Sequence, residues 1–332
     1  MKTFILRRIF LIIPLLFLIS IISFVIILLP PGSYVETYVS RLEQQGQRVD
    51  QGEIDALYRM YGLDKPPMVQ YFLWMKNFIT KGEMGRSFLH QRPVVDVILE
   101  RLPKTLGITF AALMITWILA IPIGIYSAIR QYSIGDYVIT SISFIGIALP
   151  NFLLALVLAY VAFSFTGNAI SGLFSENFKN APWSFNKFMD LMSNIWLPLL
   201  VISVSGTAVL TRILRATLLD EKNKQYVTTA RAKGLSEFKL LLKYPVRVAL
   251  NPLISTIGWT LPVLVSGEII VSQVLGLETL GPVLLAAALE EDMYLVGSIV
   301  MILSTLTVLG TLISDILLAW LDPRIRYDEA KK

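Results

Sequence analysis

The sequence specifies an all-α membrane protein that crosses the bilayer about six times. An apolar excess, a set of charge-free apolar runs and a lopsided distribution of basic residues carry that expectation. Hydrophobic residues make up 55% of the 332 residues and charged residues only 16%, with a mean hydropathy of +0.65. A water-soluble chain carries roughly a quarter charged residues. So small a charge content requires that the apolar residues be gathered into membrane spans, and they are. Ile9–Leu29, Thr105–Ile129, Tyr137–Phe165, Leu191–Thr211, Val248–Gly267 and Met293–Ser314 contain no Asp, Glu, Lys or Arg. Each is near or above the ~20 residues that cross a ~30 Å hydrocarbon core.

Lys2, Arg7 and Arg8 precede the first run, as in a secretory leader. The run is longer than a cleaved apolar region, however, and ends in Leu29-Pro30-Pro31-Gly32 rather than a small-x-small site, so it reads as a retained first span. Residues 30–104 are the most polar stretch. Within it, Met68, Tyr71, Phe72, Met75, Phe78 and Ile79 recur at helical spacing, and Gly62–Pro67 reads as a turn ahead of that helix. Tyr71 and Trp74 suit a membrane–water interface, so an interfacial helix packing on the span ends is expected over Val69–Ile79; a docking surface for an external partner is the sharper reading. Pro14, Pro122, Pro150, Pro198 and Pro262 fall within spans, where neighbouring helices can satisfy the freed carbonyls.

Basic residues near the membrane mark the cytoplasmic side. Arg212–Arg247 holds nine basic residues (Arg212, Arg215, Lys222, Lys224, Arg231, Lys233, Lys239, Lys243 and Arg247) against three acids. The loop 276–292 holds no basic residue and four acids, Glu278, Glu290, Glu291 and Asp292. With six spans, this places both termini, the turn Arg130–Asp136 and the loop 212–247 inside. Residues 30–104, 166–190 and 276–292 then lie outside.

Several chemistries are excluded. Cysteine is absent and His90 is the single histidine, so no disulfide, thiolate metal site or histidine cluster can form. No G-x-x-x-x-G-K-[ST] loop occurs, and neither H-E-x-x-H nor G-x-S-x-G is present. No catalytic residue, metal ligand or bound cofactor is therefore expected on this chain. An ion-coupled carrier would place several ionisable groups within its spans, because each is costly there. Only Glu268 and Asp315 qualify, and both sit towards span ends. Each is either a structural acid with a hydrogen-bond partner or a carboxylate lining a solute pathway.

The inner loop is the most informative stretch. It contains Thr228-Thr229-Ala230-Arg231-Ala232-Lys233-Gly234-Leu235-Ser236-Glu237. Gly234 can end one helix in the left-handed conformation, Ser236 can cap the next, and Glu237 favours its first turn. Two short helices joined at Gly234 and lying under the membrane are expected. Ala230, Ala232 and Gly234 would let another protein's surface come close, with Arg231 and Lys233 offering charge to it. A nucleic-acid partner is not indicated, because topology already accounts for the basic charge.

On these residues the chain resembles the permeases of binding-protein-dependent ABC importers, and specifically the dipeptide/oligopeptide (nickel) branch. Tyr226–Leu235 resembles that branch's cytoplasmic loop, although Thr228-Thr229-Ala230 stands where many importer permeases carry Glu-Ala-Ala. Arg101–Leu106, Gly62–Pro66, Gly82–Ser87, Asp315 and Leu321–Tyr327 match further motifs in order. The resemblance implies a type I importer permease fold. It divides into a first span with an extracytoplasmic segment (1–103), a core of helices 2–6 (104–322) with the coupling loop 212–247, and a cytoplasmic tail (323–332). It further implies that Thr228, Thr229, Ala230, Arg231, Ala232, Lys233, Gly234 and Leu235 dock on an ATPase subunit. The implied partners are two ATPases carrying ATP and Mg, a second and different permease chain, and an extracytoplasmic solute-binding protein. The implied location is a prokaryotic inner membrane. Peptide is the implied solute, with oligosaccharide or nickel as alternatives, since Val274–Gly281 and Glu268 depart from the branch near the outer mouth. A stand-alone ion-coupled carrier and a non-transporting scaffold remain the competing classes.

Overall fold

The structure, a computed structural model, describes residues 2–29, 35–36, 39–40, 43, 50–61, 64–87, 89–167 and 172–321. The closing motif beyond Leu321, the tail 323–332 and Gly62-Leu63 lie outside the described residues. Among the described residues the regular structure is helical, with one isolated bridge between Arg86 and Pro93. The helices are α1 (Lys2–Leu28), α2 (Gln51–Tyr61), α3 (Pro67–Lys81), α4 (Val94–Ile129), α5 (Ile134–Ala148) and α6 (Asn151–Thr166). They continue with α7 (Phe185–Lys222), α8 (Gln225–Ala232), α9 (Glu237–Lys243), α10 (Pro245–Val274), α11 (Leu280–Leu289) and α12 (Met293–Leu321). Two compact units result: one of residues 1–8, 105–278 and 307–332, the other of residues 9–104 and 279–306.

Among the described residues four helices, α1, α4, α7 and α12, are long and apolar enough to cross a membrane, and α5 with α6 would make a fifth if the bent pair forms one span. The 30-residue α10 covers the stretch expected for the remaining one. Most run past the charge-free runs, because a helix continues into water where hydropathy stops. Thus α4 starts at Val94, directly after Pro93, and carries Asp96, Glu100, Arg101 and Lys104 before its apolar core.

The expected third span, Tyr137–Phe165, needs correction: it is two helices meeting at 108°. Pro150 is not absorbed as a kink. Leu149, ahead of it, is extended (φ −81°, ψ 126°), and Pro150 itself becomes the position before α6 (φ −59°, ψ 135°). A residue before proline is driven out of the helical region, and proline gives no N–H to the preceding turn. The pair nevertheless connects the two ends of α7. Lys222 Nζ donates to Ala128 O (3.1 Å), which sets the α4–α5 turn beside the C-terminal end of α7. At the other end, Gly172 N donates to Leu275 O (2.8 Å), and Ser175 pairs with Asp190 near the start of α7 (2.6 Å). Since α7 is 38 residues long, about 57 Å at 1.5 Å per residue, α5 and α6 must carry the chain between those ends.

In the unit of residues 9–104 and 279–306, α3 packs on α1. Tyr71 and Trp74 are buried against α1: the Tyr71 hydroxyl meets Ser20 Oγ (2.7 Å), and both rings contact Phe24. Met68, Val69, Phe72 and Ile79 of α3 are exposed.

Candidate functional site

The basic loop folds as two short helices about Gly234. α8 ends at Ala232, and Lys233 N–H bonds Thr229 O (3.1 Å). Gly234 then adopts φ +80°, a conformation that L side chains rarely take, with its N–H on Arg231 O (3.0 Å). Ser236 occupies the position ahead of α9 with extended backbone, but its hydroxyl makes no capping bond, contrary to expectation. The turn is closed instead by Arg231, whose guanidinium donates through Nε and Nη2 to the two carboxylate oxygens of Glu237. That pairing holds the Glu237 carboxyl below the usual carboxylate range. Both side chains are exposed, so the clasp sets geometry more than stability.

Two faces result. Val227 and Ala230 are buried with Leu240 of α9, flanked by Leu235, Leu241 and Tyr244. Ala230 therefore looks inward, not to a partner as its small size suggested. Thr228, Thr229, Arg231, Ala232, Lys233 and Gly234 remain exposed, and Leu235 is half-buried. The outward surface is small, polar and basic.

This loop is fastened to the spans by two groups of side chains. At the end of α7 the buried Glu221 carboxylate accepts from Lys224 Nζ (2.6 Å) and from the Tyr226 hydroxyl (2.6 Å), fixing the first residues of α8. Burial and the Glu221 carboxylate push the Tyr226 phenol above its usual range, so it remains a proton donor. Less than two turns deeper, Arg215 forks onto Asp136 of α5, with Nε–Oδ1 and Nη2–Oδ2 both at 2.8 Å. Asp136 is 1% exposed and also accepts from the Ser127 hydroxyl and from Tyr132 N–H (2.9 Å). Planar bidentate pairs of this kind fix orientation as well as distance. Together with the Lys222–Ala128 bond, they make the C-terminal end of α7 and the α4–α5 turn one piece.

Glu268 and Asp315, the two intramembrane acids, are not brought together with that loop. Glu268 on α10 is 1% exposed and accepts from Ser272 Oγ one turn along (2.5 Å). Asp315 on α12 pairs with Arg8 of α1 at 3.2 Å. Among the described residues no group of three or more potential metal ligands occurs.

Residues 120–327 match the family described as the inner membrane component of binding-protein-dependent transport systems, and residues 1–109 match that family's N-terminal component. The chain belongs to this family. The oligopeptide transport system permease protein AppB of Bacillus subtilis is 35% identical, over 98% of this chain and all of its own length. The peptidoglycan transport system permease protein YejB of Agrobacterium fabrum is 31% identical, over 99% of each chain. The oligopeptide transport system permease protein OppB of Haemophilus influenzae is 30% identical, over 98% of this chain and all of its own. The protein is a multi-pass inner membrane permease component of type I fold.

In this permease the motif Gly82–Ser87 is a structural bracket. Gly85 adopts φ +95°, and a Cβ there would lie 2.6 Å from the Tyr294 ring. Ser87 donates to Asp292 Oδ2 (2.5 Å), which also accepts from Leu89 N–H (3.1 Å). Asp292 is fully buried at the start of α12. Charge counting places it with the acids of loop 276–292 and Arg215 with the basic residues of loop 212–247. Both are intramolecular fasteners joined to partners distant in the chain. The sequence signal that could have exposed Asp136 is its isolation: it is the only acid between Lys104 and Phe165.

Proposed function

We propose that this permease lines half of the solute pathway of an ATP-driven importer and that its inner loop, residues 228–235, is the docking element for an ATPase subunit. The observation that carries the reading is the pairing of an outward surface of small and basic residues with a rigid seat. Thr228, Thr229, Arg231, Ala232 and Lys233 face out, while Glu221 and the Arg215–Asp136 fork fasten the same loop to α7, α4 and α5. A movement imposed on the loop is thereby delivered to three membrane helices without slack. Ala230 contributes as packing, and Gly234 as the turn that presents the surface.

Two ATPases with ATP and Mg, a second permease chain and an external solute-binding protein complete the assembly. The basic loop and both termini face the cytoplasm, since the positive-inside bias places the nine cations there. No cofactor resides on this chain. Peptides are the solute class, a reading supported by the names of the AppB and OppB relatives. The YejB relative is named for peptidoglycan transport.

The test is uncoupling. Arg231→Glu reverses the outward charge and breaks the clasp with Glu237, and Gly234→Pro removes the left-handed turn. Each is expected to abolish solute uptake by the assembled complex while the ATPases still turn over. Wild-type coupled uptake in both variants would remove the docking assignment.

A further inference from the structure

α9 has two unlike faces. Leu240 is buried against α8, whereas Phe238 and Leu242, one turn apart, are 73% and 45% exposed. Lys239 and Lys243, also exposed and one turn apart, run beside them. The alternation continues onto the first turn of α10, where Arg247 and Val248 are exposed. The one acid of α9, Glu237, is held by Arg231, so the outward charge of this face is positive.

We propose that this face of α9 lies in the headgroup layer of the leaflet on the basic side and binds anionic phospholipid there. Position comes first. α9 ends at Lys243 and α10 begins at Pro245, so Leu242 stands within one helical turn of the helix that covers the charge-free run Val248–Gly267. A helix lying in the membrane plane is about 10 Å across with its side chains, comparable to a headgroup layer of roughly 5–8 Å a side. Chemistry comes second. Exposed aromatic and aliphatic side chains with lysines alongside are the pattern of a helix in the interfacial plane: the apolar groups enter the acyl boundary, and the lysine stems carry their ammonium groups out to phosphate. Anionic lipid, not neutral lipid, matches the cations, whose attraction is limited to about a Debye length from the surface. The contact would hold α9 against the membrane while the opposite surface of the loop engages its partner. The proposal rests on the basic side facing an anionic leaflet, and does not require the ATPase docking above.

Because the chain has no cysteine, one introduced thiol reports one position. A nitroxide on Leu242→Cys, and separately on Phe238→Cys, is to be measured in the full chain reconstituted without ATPases. The vesicles are phosphatidylcholine, with and without phosphatidylglycerol. The expected result is that oxygen relaxes the label more than a water-soluble nickel chelate does when phosphatidylglycerol is present. Lys239→Gln with Lys243→Gln should shift the label towards the aqueous reading. Dominance of the nickel chelate at both positions in both vesicles overturns the proposal. So does equal immersion with and without phosphatidylglycerol, which would leave no anion recognition. Aqueous readings that give way to exclusion of both reagents only when ATPases are added would make the face a protein contact instead.

Discussion

Asp136→Asn removes one charge from a fork that is almost closed to water. The carboxylate is 1% exposed, and the Arg215 side chain keeps 26% exposure, with two 2.8 Å charge-assisted bonds between them. Removing one partner of a buried pair costs about 3–5 kcal/mol, mainly because the other charge is left desolvated. The partial exposure of Arg215 puts the expected loss near the lower end, about 3 kcal/mol. Arg215→Gln should cost at least as much, since the Asp136 carboxylate would retain only the Ser127 hydroxyl and Tyr132 N–H. The double variant leaves no stranded charge and should therefore lose less than the sum, with an interaction energy of about 1–3 kcal/mol. Denaturation of the purified permease assembly by titration gives the stability cycle; solute-stimulated ATP hydrolysis beside uptake gives the functional one. The singles should hydrolyse ATP with depressed uptake, because the α4–α5 turn no longer follows α7. Strictly additive stability losses, or full coupled uptake in both singles, would refute the transmission argument.

Three further outcomes follow from other places. Gly85→Ala puts a methyl group 2.6 Å from the Tyr294 ring at φ +95°; it should destabilise by about 2 kcal/mol or more, read in the same denaturation assay, with an unchanged midpoint contradicting the bracket. Arg231 depresses the Glu237 carboxyl, so the clasp should persist as pH falls through the ordinary glutamate range near ~4.3 and open only below it. Paired spin labels at positions 229 and 239 should keep their separation at about pH 4, just below the ordinary glutamate value, and opening between about pH 5 and that point would contradict the depression. Glu268→Gln keeps an acceptor for Ser272 and should leave assembly intact while changing uptake; unchanged uptake at every solute concentration makes Glu268 a packing residue.

What was legible in the sequence was local. Charge-free runs located the spans, and the glycine at 234 marked the turn between two short helices, because both signals are written in consecutive residues. The face of α8 was misjudged at Ala230: an eight-residue helix offers too few turns to show which stripe is buried. Pro150 reads in the sequence as a tolerated kink, since nothing in its neighbourhood distinguishes a bend from a break. The Arg215–Asp136 fork joins residues 79 apart, and the Ser87–Asp292 bond residues 205 apart. Such pairs leave no periodicity, and their charges are counted with the solvated ones until the chain is folded. Tyr71 and Trp74 show the same limit, because residue type alone does not tell which aromatics of a helix are buried against a neighbour.

The most direct test is uptake by proteoliposomes holding this chain with its co-purified permease, ATPases and solute-binding protein. Labelled peptide is supplied on the side opposite the basic loop and ATP on the loop's side. The expected result is peptide accumulation that requires ATP on that side and disappears when the ATPases are omitted. Accumulation by this chain alone, driven by an ion gradient and indifferent to ATP, would contradict the account.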